Sequence, residues 1–183
     1  MAFTPRLNDV GMLNNFHWYS RNPFYIAGYG LPNCTCYAWG RFWEISDPLG
    51  TGENRPTLPT SNGGSWWGDV DRSIYETGQT PRLGAVICFS DDNTGGDGHV
   101  AIVEEIHNDG TIVCSNSAWG GTYFYLTTLS PNDNYKYSHF TMQGFIYNPS
   151  VTPTPPTPTI TKRGNFPWVL YAKKLRENLY IWH

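Results

Sequence analysis

Residues 99–116 read HVAIVEEIHNDGTIVCSN. The two runs rich in Val and Ile, 99–106 and 110–115, predict strands. HNDG at 107–110 predicts a hairpin turn between them, because Asn, Asp and Gly tolerate turn conformations. Pairing around this turn places the start of the first strand beside the end of the second. His99 should therefore lie nearly opposite Asn116 or its neighbours.

The rest of the chain predicts one helix before the sheet and further strands around the hairpin. Upstream, CTCYAWGRFWEI (34–45) carries its apolar residues at helical spacing, and Asn33 is a suitable N-cap. Residues 46–80 are rich in Gly, Pro, Ser and Thr, which predicts a long loop with one short helix at about 65–76. Three other runs predict strands, at 83–89, 122–129 and 140–148. This order predicts an α+β fold with the helix packed on an antiparallel sheet.

The composition also predicts where the globular domain ends. The Pro- and Thr-rich stretch VTPTPPTPTIT at 151–161 is typical of a stiff, extended linker. We therefore predict a globular domain over residues 1–150. Residues 162–183 place aromatic and aliphatic side chains near helical spacing, with Lys and Arg between them. They predict either an amphipathic tail that contacts a wall or membrane surface, or the truncated start of another module.

Charge and hydropathy exclude some classes of partner. The formal net charge is −3, and no run of Lys or Arg forms a basic patch before the last dozen residues, so we expect no nucleic-acid partner. No run of 18 apolar residues predicts a membrane span. The first residues lack the charged and apolar regions of a signal peptide, so we expect synthesis in a cytosol with reduced cysteines. We expect a monomer.

The predicted helix start and the predicted hairpin together supply a nucleophile and a base. A thiol attacks as thiolate, and a helix N-terminus with a neighbouring imidazole lowers its pKa. Cys34 is placed at such a terminus, His99 can supply the imidazole, and Asn116 can orient it. The Cys34 backbone N–H is a candidate donor to an oxyanion. The Asn33 side chain is either a second donor or only the cap of the helix.

The other cysteines have simpler interpretations. Cys36 is about 200° around the helix from Cys34, so it should pack inward or sideways. Cys88 and Cys114 lie in strand-like runs and are predicted to be buried, inert thiols. The four cysteines lack the paired spacing of a zinc site, and the Asp-rich loop at 91–97 lacks a complete calcium pattern. We therefore predict no metal and no cofactor, with a weak calcium site in that loop left open.

The motifs, in order, are GLPNCTCYAWGRFWEI (30–45), LGAVICF (83–89), GHVAIVEEI (98–106) and DGTIVCSNSAWGG (109–121). They resemble the CHAP domain, the cysteine, histidine-dependent amidohydrolase/peptidase family common in phage lysins. The family's nucleophile motif is matched by Cys34 to Ala38, and its Gly-His-Val-Ala-aliphatic-Val strand by Gly98 to Val103. The resemblance covers about residues 20–148. It implies a papain-like fold, with Cys34 as nucleophile and His99 as base.

One stretch departs from the family pattern. The family often has Ser-Glu-x-Asn before an aromatic residue, whereas this chain has Ser115-Asn116-Ser117-Ala118 before Trp119. Asn116 stands where the acid is usual, and Ala118 where the Asn is. An Asn can hold an imidazole tautomer, as in papain-like enzymes generally, so Asn116 remains the predicted third member of the triad.

The resemblance implies bacterial peptidoglycan as the partner and amide hydrolysis as the reaction. The bond would be the N-acetylmuramoyl-L-alanine amide or one inside the stem peptide. It also implies a phage or prophage lysin, made in the host cytosol and acting at the wall after release. Trp66, Trp67 and Trp119 are predicted to line the substrate groove. Two alternatives stay open: an inactive papain-like module that only binds the wall, and an amidase acting on a small metabolite.

Overall fold

A six-stranded antiparallel sheet forms the centre of the fold, in a computed structural model that describes residues 3–93 and 95–152. The strands are β1 Thr77–Gly78, β2 Val86–Asp91, β3 His99–Ile106, β4 Ile112–Asn116, β5 Tyr125–Leu129 and β6 Phe140–Ile146. They lie side by side in the order β1-β6-β2-β3-β4-β5, and every neighbouring pair is antiparallel. The predicted antiparallel sheet is confirmed.

The helices precede most of the sheet in the chain. They are α1 Pro23–Ile26, α2 Cys34–Ser46 and α3 Trp66–Asp69, with 3-10 turns at Gly63–Ser65 and Pro131–Asp133. The long helix α2 packs on β3, and its buried aromatic side chains join Val100 and Ile102 in one core cluster. A second cluster covers the other face of the sheet. This arrangement confirms the predicted α+β fold, with the N-terminal helix on the sheet as in papain-like proteins.

The predicted hairpin joins β3 to β4. His107 and Gly110 close the turn, since the His107 N–H donates to the Thr111 carbonyl and the Gly110 N–H to that of His107. Ile106 pairs with Ile112 at the turn and Ile102 with Ser115 further along, with a bulge between them. The start of β3 therefore lies beside the end of β4, as predicted.

Several boundaries differ from the predicted ones. The helix predicted at about 65–76 is only one turn, Trp66–Asp69, because a 3-10 turn at 63–65 precedes it and the chain becomes extended at Val70. Strand β1 was not predicted at all, because its two residues carry no alternating pattern. It is a strand because it pairs with the end of β6.

A buried ion-pair network ties the N-terminal segment to α2 and β3. Glu104 is fully buried, and its two carboxylate oxygens accept from the Arg41 Nε and Nη2, each at 2.9 Å. The same carboxylate accepts from the Arg6 backbone N–H at 2.8 Å and from the Ser115 hydroxyl at 2.7 Å. Glu44 in turn pairs with both arginines. Every charge in this cluster therefore has an opposite partner.

The C-terminal predictions lie mostly outside the described residues. The described chain ends at residue 152, two residues into the predicted linker at 151–161. The predicted tail at 162–183 lies wholly outside, so the linker and the tail stay predictions. Within the described residues, no helix has both the length and the apolar character needed to cross a membrane.

Candidate active site

Asn33 caps the helix that carries the candidate nucleophile. Its backbone is extended, at φ −163° and ψ 131°, and its side-chain oxygen accepts from the Thr35 N–H at 2.9 Å and the Cys36 N–H at 3.4 Å. Its amide nitrogen donates to the Tyr29 carbonyl at 3.1 Å. Of the two roles predicted for this side chain, the structure shows the cap. One of the two amide hydrogens is therefore donated to Tyr29.

Cys34 is the first residue of α2 and keeps its own backbone N–H available. In the described part of the chain, this N–H donates to no other residue. The helix N-terminus concentrates partial positive charge at that point. An oxyanion that forms next to the Cys34 sulfur could therefore accept a hydrogen bond from this N–H, and no hydrogen bond to another residue would have to be broken first.

His99 opens β3 and is held inside an aromatic enclosure. The ring centroids of Phe89, Tyr137 and Phe140 lie 6.1, 5.5 and 5.6 Å from the imidazole. Gly98 just before it has φ +69°, and a Cβ there would come within 2.3 Å of the Gly64 Cα. Only glycine fits this close approach, so the Gly-His pair sets where the imidazole enters the site.

The hydrogen bonds of Asn116 determine the tautomer of His99. The Asn116 amide nitrogen donates to the Cys114 carbonyl at 2.9 Å and to the Thr127 hydroxyl at 3.0 Å. Its oxygen must then face the imidazole, and it lies 2.9 Å from His99 Nε2. An oxygen accepts, so Nε2 carries the proton and Nδ1 has a free lone pair. The imidazole is thus presented as a base through Nδ1.

The Cys34 sulfur lies at the same end of the sheet as the imidazole. The Val100 backbone N–H, one residue after His99, lies close enough to the sulfur to lower the pKa of the thiol. Burial has the larger effect and raises the pKa of the Cys34 thiol above its ordinary value. This differs from the predicted depression at a helix N-terminus, because desolvation outweighs the donors around the sulfur.

Burial acts on the base in the complementary direction. It lowers the pKa of His99 below its usual 6.5, while the hydrogen bond that His99 donates to the Asn116 oxygen opposes that shift. At neutral pH the Cys34 thiol and the His99 imidazole are therefore both uncharged. A neutral imidazole can act as a general base toward a thiol, taking its proton while the sulfur attacks.

The other three cysteines are fully buried, as predicted. The Cys36 thiol donates to the Trp18 carbonyl at 3.5 Å, and burial raises its pKa to about 12. Burial also raises the pKa of Cys88 and Cys114 strongly. Cys34 is the one cysteine of the four that is partly exposed, so it is the only one of them that a substrate can reach.

The three predicted groove tryptophans separate. Trp66 is fully buried in the core, with its indole N–H donating to the Ser61 carbonyl, so its predicted place in a groove is wrong. The short helix turns this side chain inward under α1, where it stacks on Phe24. Trp67 is partly buried, with Arg72 over its ring. Trp119 is 66% exposed in the loop that follows Asn116.

Some residues of the site were not found in the sequence. Thr127 of β5 holds the amide of Asn116, and Tyr137 and Phe140 enclose His99. The signal for Thr127 is its pairing with Cys114, which is known only once the register of β5 is known.

The described residues contain no group of three or more His, Cys, Asp and Glu side chains that could hold a metal ion. In the Asp-rich loop, Asp97 pairs with the Asn62 amide, and Asp91 accepts from the Asn93 N–H.

The pH dependence of hydrolysis should report the environment of His99. With the neutral imidazole as the predicted base and its pKa lowered by burial, we expect kcat/KM to fall only when the pH drops below the ordinary 6.5. Asn116→Asp places a carboxylate at Nε2, which favours imidazolium and should move this acid limb to higher pH. Asn116→Ala removes a hydrogen bond that raises the pKa of His99. The acid limb should therefore move to lower pH, and the rate should fall. An acid limb unmoved by both substitutions would contradict the assignment.

Comparison with known proteins places the chain in a family. A family model described as the CHAP domain matches residues 24–118, which is 95 of the 183 residues. Over 51 residues the chain is 39% identical to a Streptococcus mutans protein described only as a candidate hydrolase; the match covers 28% of this chain and 23% of that protein.

Two solved structures are also similar. One is an N-acetylmuramoyl-L-alanine amidase from Staphylococcus aureus, 22% identical, with a TM-score of 0.46 over 64% of this chain and 30% of that one. The other is Ly7917 with the hydrolyzing product of MDP, 16% identical, with a TM-score of 0.47 over 66% of this chain and 55% of that one. The chain thus spans about half or less of each relative. The family model covers more than half of the chain and includes Cys34, His99 and Asn116, and the protein therefore belongs to the CHAP domain family of hydrolases.

Proposed function

We propose that this protein hydrolyses an amide bond of bacterial peptidoglycan, with Cys34 as nucleophile, His99 as general base and Asn116 as the residue that orients the base. The observation that carries the proposal is the hydrogen-bond set of Asn116, which leaves His99 Nδ1 unprotonated. Membership of the CHAP family supports the hydrolase class. The partial exposure of Cys34, where the other thiols are buried, supports its role as the nucleophile.

The acylation step follows from these roles. His99 Nδ1 takes the proton from the Cys34 thiol while the sulfur attacks the carbonyl carbon. The C=O electron pair moves to oxygen, and the Cys34 N–H stabilises the resulting oxyanion. The oxyanion then collapses, the C–N bond breaks, and the imidazolium transfers its proton to the leaving amine. The products of this step are a free amine and a thioester at Cys34.

Deacylation uses the same groups in reverse. The neutral His99 accepts a proton from a water molecule as its oxygen attacks the thioester carbonyl. The C–S bond breaks, the sulfur leaves, and the imidazolium returns the proton to it. Asn116 keeps Nε2 protonated through both steps and stabilises the imidazolium that forms in each. The net reaction is amide plus water to carboxylic acid plus amine.

The biological setting is part of the same proposal. We propose a lysin of phage or prophage origin, monomeric, that is made in a bacterial cytosol and acts on the wall after release. The Pro/Thr-rich stretch at 151–161 supports a tethered arrangement, because such a linker separates a catalytic domain from whatever follows it.

Digestion of purified Gram-positive peptidoglycan, followed by mass spectrometry of the soluble products, tests the proposal. New amino termini within the stem peptide would identify an endopeptidase, and free lactyl carboxylates on muramic acid would identify an amidase. If walls of several chemotypes release no fragment, while an assay on small amide metabolites shows turnover, the peptidoglycan assignment is wrong.

A further inference from the structure

Two exposed aromatic rings lie in the loop that precedes Cys34 and in the loop that follows Asn116. Tyr29 is 55% exposed and Trp119 is 66% exposed, and their ring centroids lie 6.0 Å apart with the planes tilted by 43°. Neither ring is covered by another described part of the chain. We call this pair the aromatic platform. Large exposed aromatics of this kind are unusual on a surface with no ligand to bind, because each exposes apolar area to water.

The platform is attached directly to the catalytic machinery. Tyr29 is five residues before Cys34, and its carbonyl accepts from the Asn33 side chain that caps α2. Trp119 is three residues after Asn116, in a tight turn in which the Ala118 N–H donates to the Thr122 carbonyl at 3.0 Å.

A hydrogen bond also joins the two loops that carry the platform. The Asn33 backbone N–H donates to the hydroxyl of the buried Ser117 at 3.0 Å. The Tyr19 and Tyr123 hydroxyls lie 2.8 Å apart and join the second loop to the segment before α1, where the Tyr19 ring lies 5.2 Å from that of Tyr25. The platform therefore holds a fixed position relative to Cys34, and a ligand on it places its own bonds at a fixed distance from the sulfur.

The two loops that carry the rings are uncharged. The loop YIAGYGLPN at 25–33 and the loop SAWGGTYF at 117–124 contain no Asp, Glu, Lys, Arg or His. An anionic lipid or a charged peptide would find no counter-charge in these loops. A pyranose ring presents an apolar C–H face to an aromatic ring, and its hydroxyl and acetamido groups bond to neutral partners.

We propose that Tyr29 and Trp119 bind an N-acetylated sugar ring of the glycan strand, and so place the peptide attached to that strand at Cys34. This role of the two rings rests on the proposed peptidoglycan hydrolysis and adds to it a preference among substrates. Substrates that keep their glycan should be cleaved more efficiently than the free stem peptide. The glycan should act through KM, because the platform contacts a part of the substrate that does not react.

Binding can be measured without turnover in the full chain carrying Cys34→Ala. The probe is a peptide-free tetrasaccharide of alternating N-acetylglucosamine and N-acetylmuramic acid, titrated by calorimetry. Adding Trp119→Ala should weaken its Kd by about tenfold, as loss of a central aromatic anchor does. Trp119→Phe and Tyr29→Phe, which keep a ring, should stay within about threefold. Leu49→Ala, at an 80% exposed apolar side chain that lies outside both loops, is the matched control and should leave Kd unchanged.

Hydrolysis supplies the second readout, in the parent background. Trp119→Ala should raise KM about tenfold for glycan-bearing fragments with kcat unchanged, and should leave cleavage of the free stem peptide unaffected. Equal tetrasaccharide binding with and without Trp119 would overturn the platform even if walls are digested. A Trp119→Ala defect confined to cleavage of the free stem peptide would also overturn the platform, because the rings would then bind peptide. Tetrasaccharide binding lost with Trp119, in a protein that digests no wall, would instead count against the hydrolysis.

Discussion

His99→Gln should lower kcat/KM for peptidoglycan by at least about 10³-fold, with the folded structure retained. The thiol of Cys34 is uncharged at neutral pH because burial raises its pKa. Without the Nδ1 lone pair, no group receives its proton during attack, and no group protonates the leaving amine. Gln fills the space between Phe89 and Phe140 but cannot act as a base at these pH values. Initial rates of fragment release from purified walls measure the effect.

His107→Gln is the matched control for this experiment. His107 lies in the exposed turn between β3 and β4, and only its backbone takes part in the turn's hydrogen bonds. Its replacement should leave kcat/KM within about twofold, as expected for a surface substitution. If His99→Gln kept more than a tenth of the parent activity while remaining folded by circular dichroism, His99 would not be the base.

Glu104→Ala should lower the free energy of unfolding by about 3–5 kcal/mol. Glu104 is fully buried and Arg41 nearly so, and the carboxylate accepts from two nitrogens of that guanidinium. Removal of the carboxylate leaves Arg41 with Glu44 alone and strips the Arg6 N–H and the Ser115 hydroxyl of their acceptor. A buried charge that has lost its partner destabilises the fold by more than the intact ion pair stabilised it. Urea unfolding monitored by tryptophan fluorescence gives the free energy.

An exposed ion pair in the same chain provides the comparison. Glu76 is 66% exposed and pairs with Arg82 at 2.6 Å, so Glu76→Ala should leave the free energy of unfolding nearly unchanged. Equal losses for Glu104→Ala and Glu76→Ala would show that the Glu104 network does not stabilise the fold.

The main elements and the contact between His99 and Asn116 could be predicted because local rules determine them. Cys34 follows an N-cap residue and a helical repeat, and His99 and Asn116 are linked by a hairpin whose turn residues are explicit in HNDG at 107–110. The bulge in β3 did not break this inference, because the side chains of His99 and Asn116 still meet on one face of the sheet.

The residues that sequence reasoning missed depend on contacts between distant segments. Arg41 falls on the apolar repeat of α2 and Glu104 lies within a strand of Val and Ile, yet they are partners across 63 positions. Thr127 supports Asn116 only through the register of β5. Neither the Arg41–Glu104 pair nor the Thr127–Asn116 contact can be found from the periodicity of the sequence around it.

Trp66 was predicted to line an exposed groove because of the residues around it, but its side chain is buried. The Gly, Pro, Ser and Thr content of 46–80 predicted a long loop around it. The glycines next to Trp66 serve close packing instead, since a Cβ on Gly63 would lie 3.1 Å from the His99 backbone. The turn that packs on β3 also drives Trp66 into the core. The pKa of Cys34 was mispredicted for a related reason, because the local helix terminus was visible in the sequence and the desolvation was not.

The comparison of Cys34→Ala with Cys36→Ala on purified peptidoglycan tests the central claim most directly. The two cysteines share one helix, but Cys34 is partly exposed at the site and Cys36 is buried against the Trp18 carbonyl. We predict that Cys34→Ala releases fragments at least about 10³-fold more slowly than the parent, while folded Cys36→Ala keeps most of the activity. Wall digestion by Cys34→Ala at the parent's rate, or a loss confined to Cys36→Ala, would contradict nucleophilic attack by Cys34.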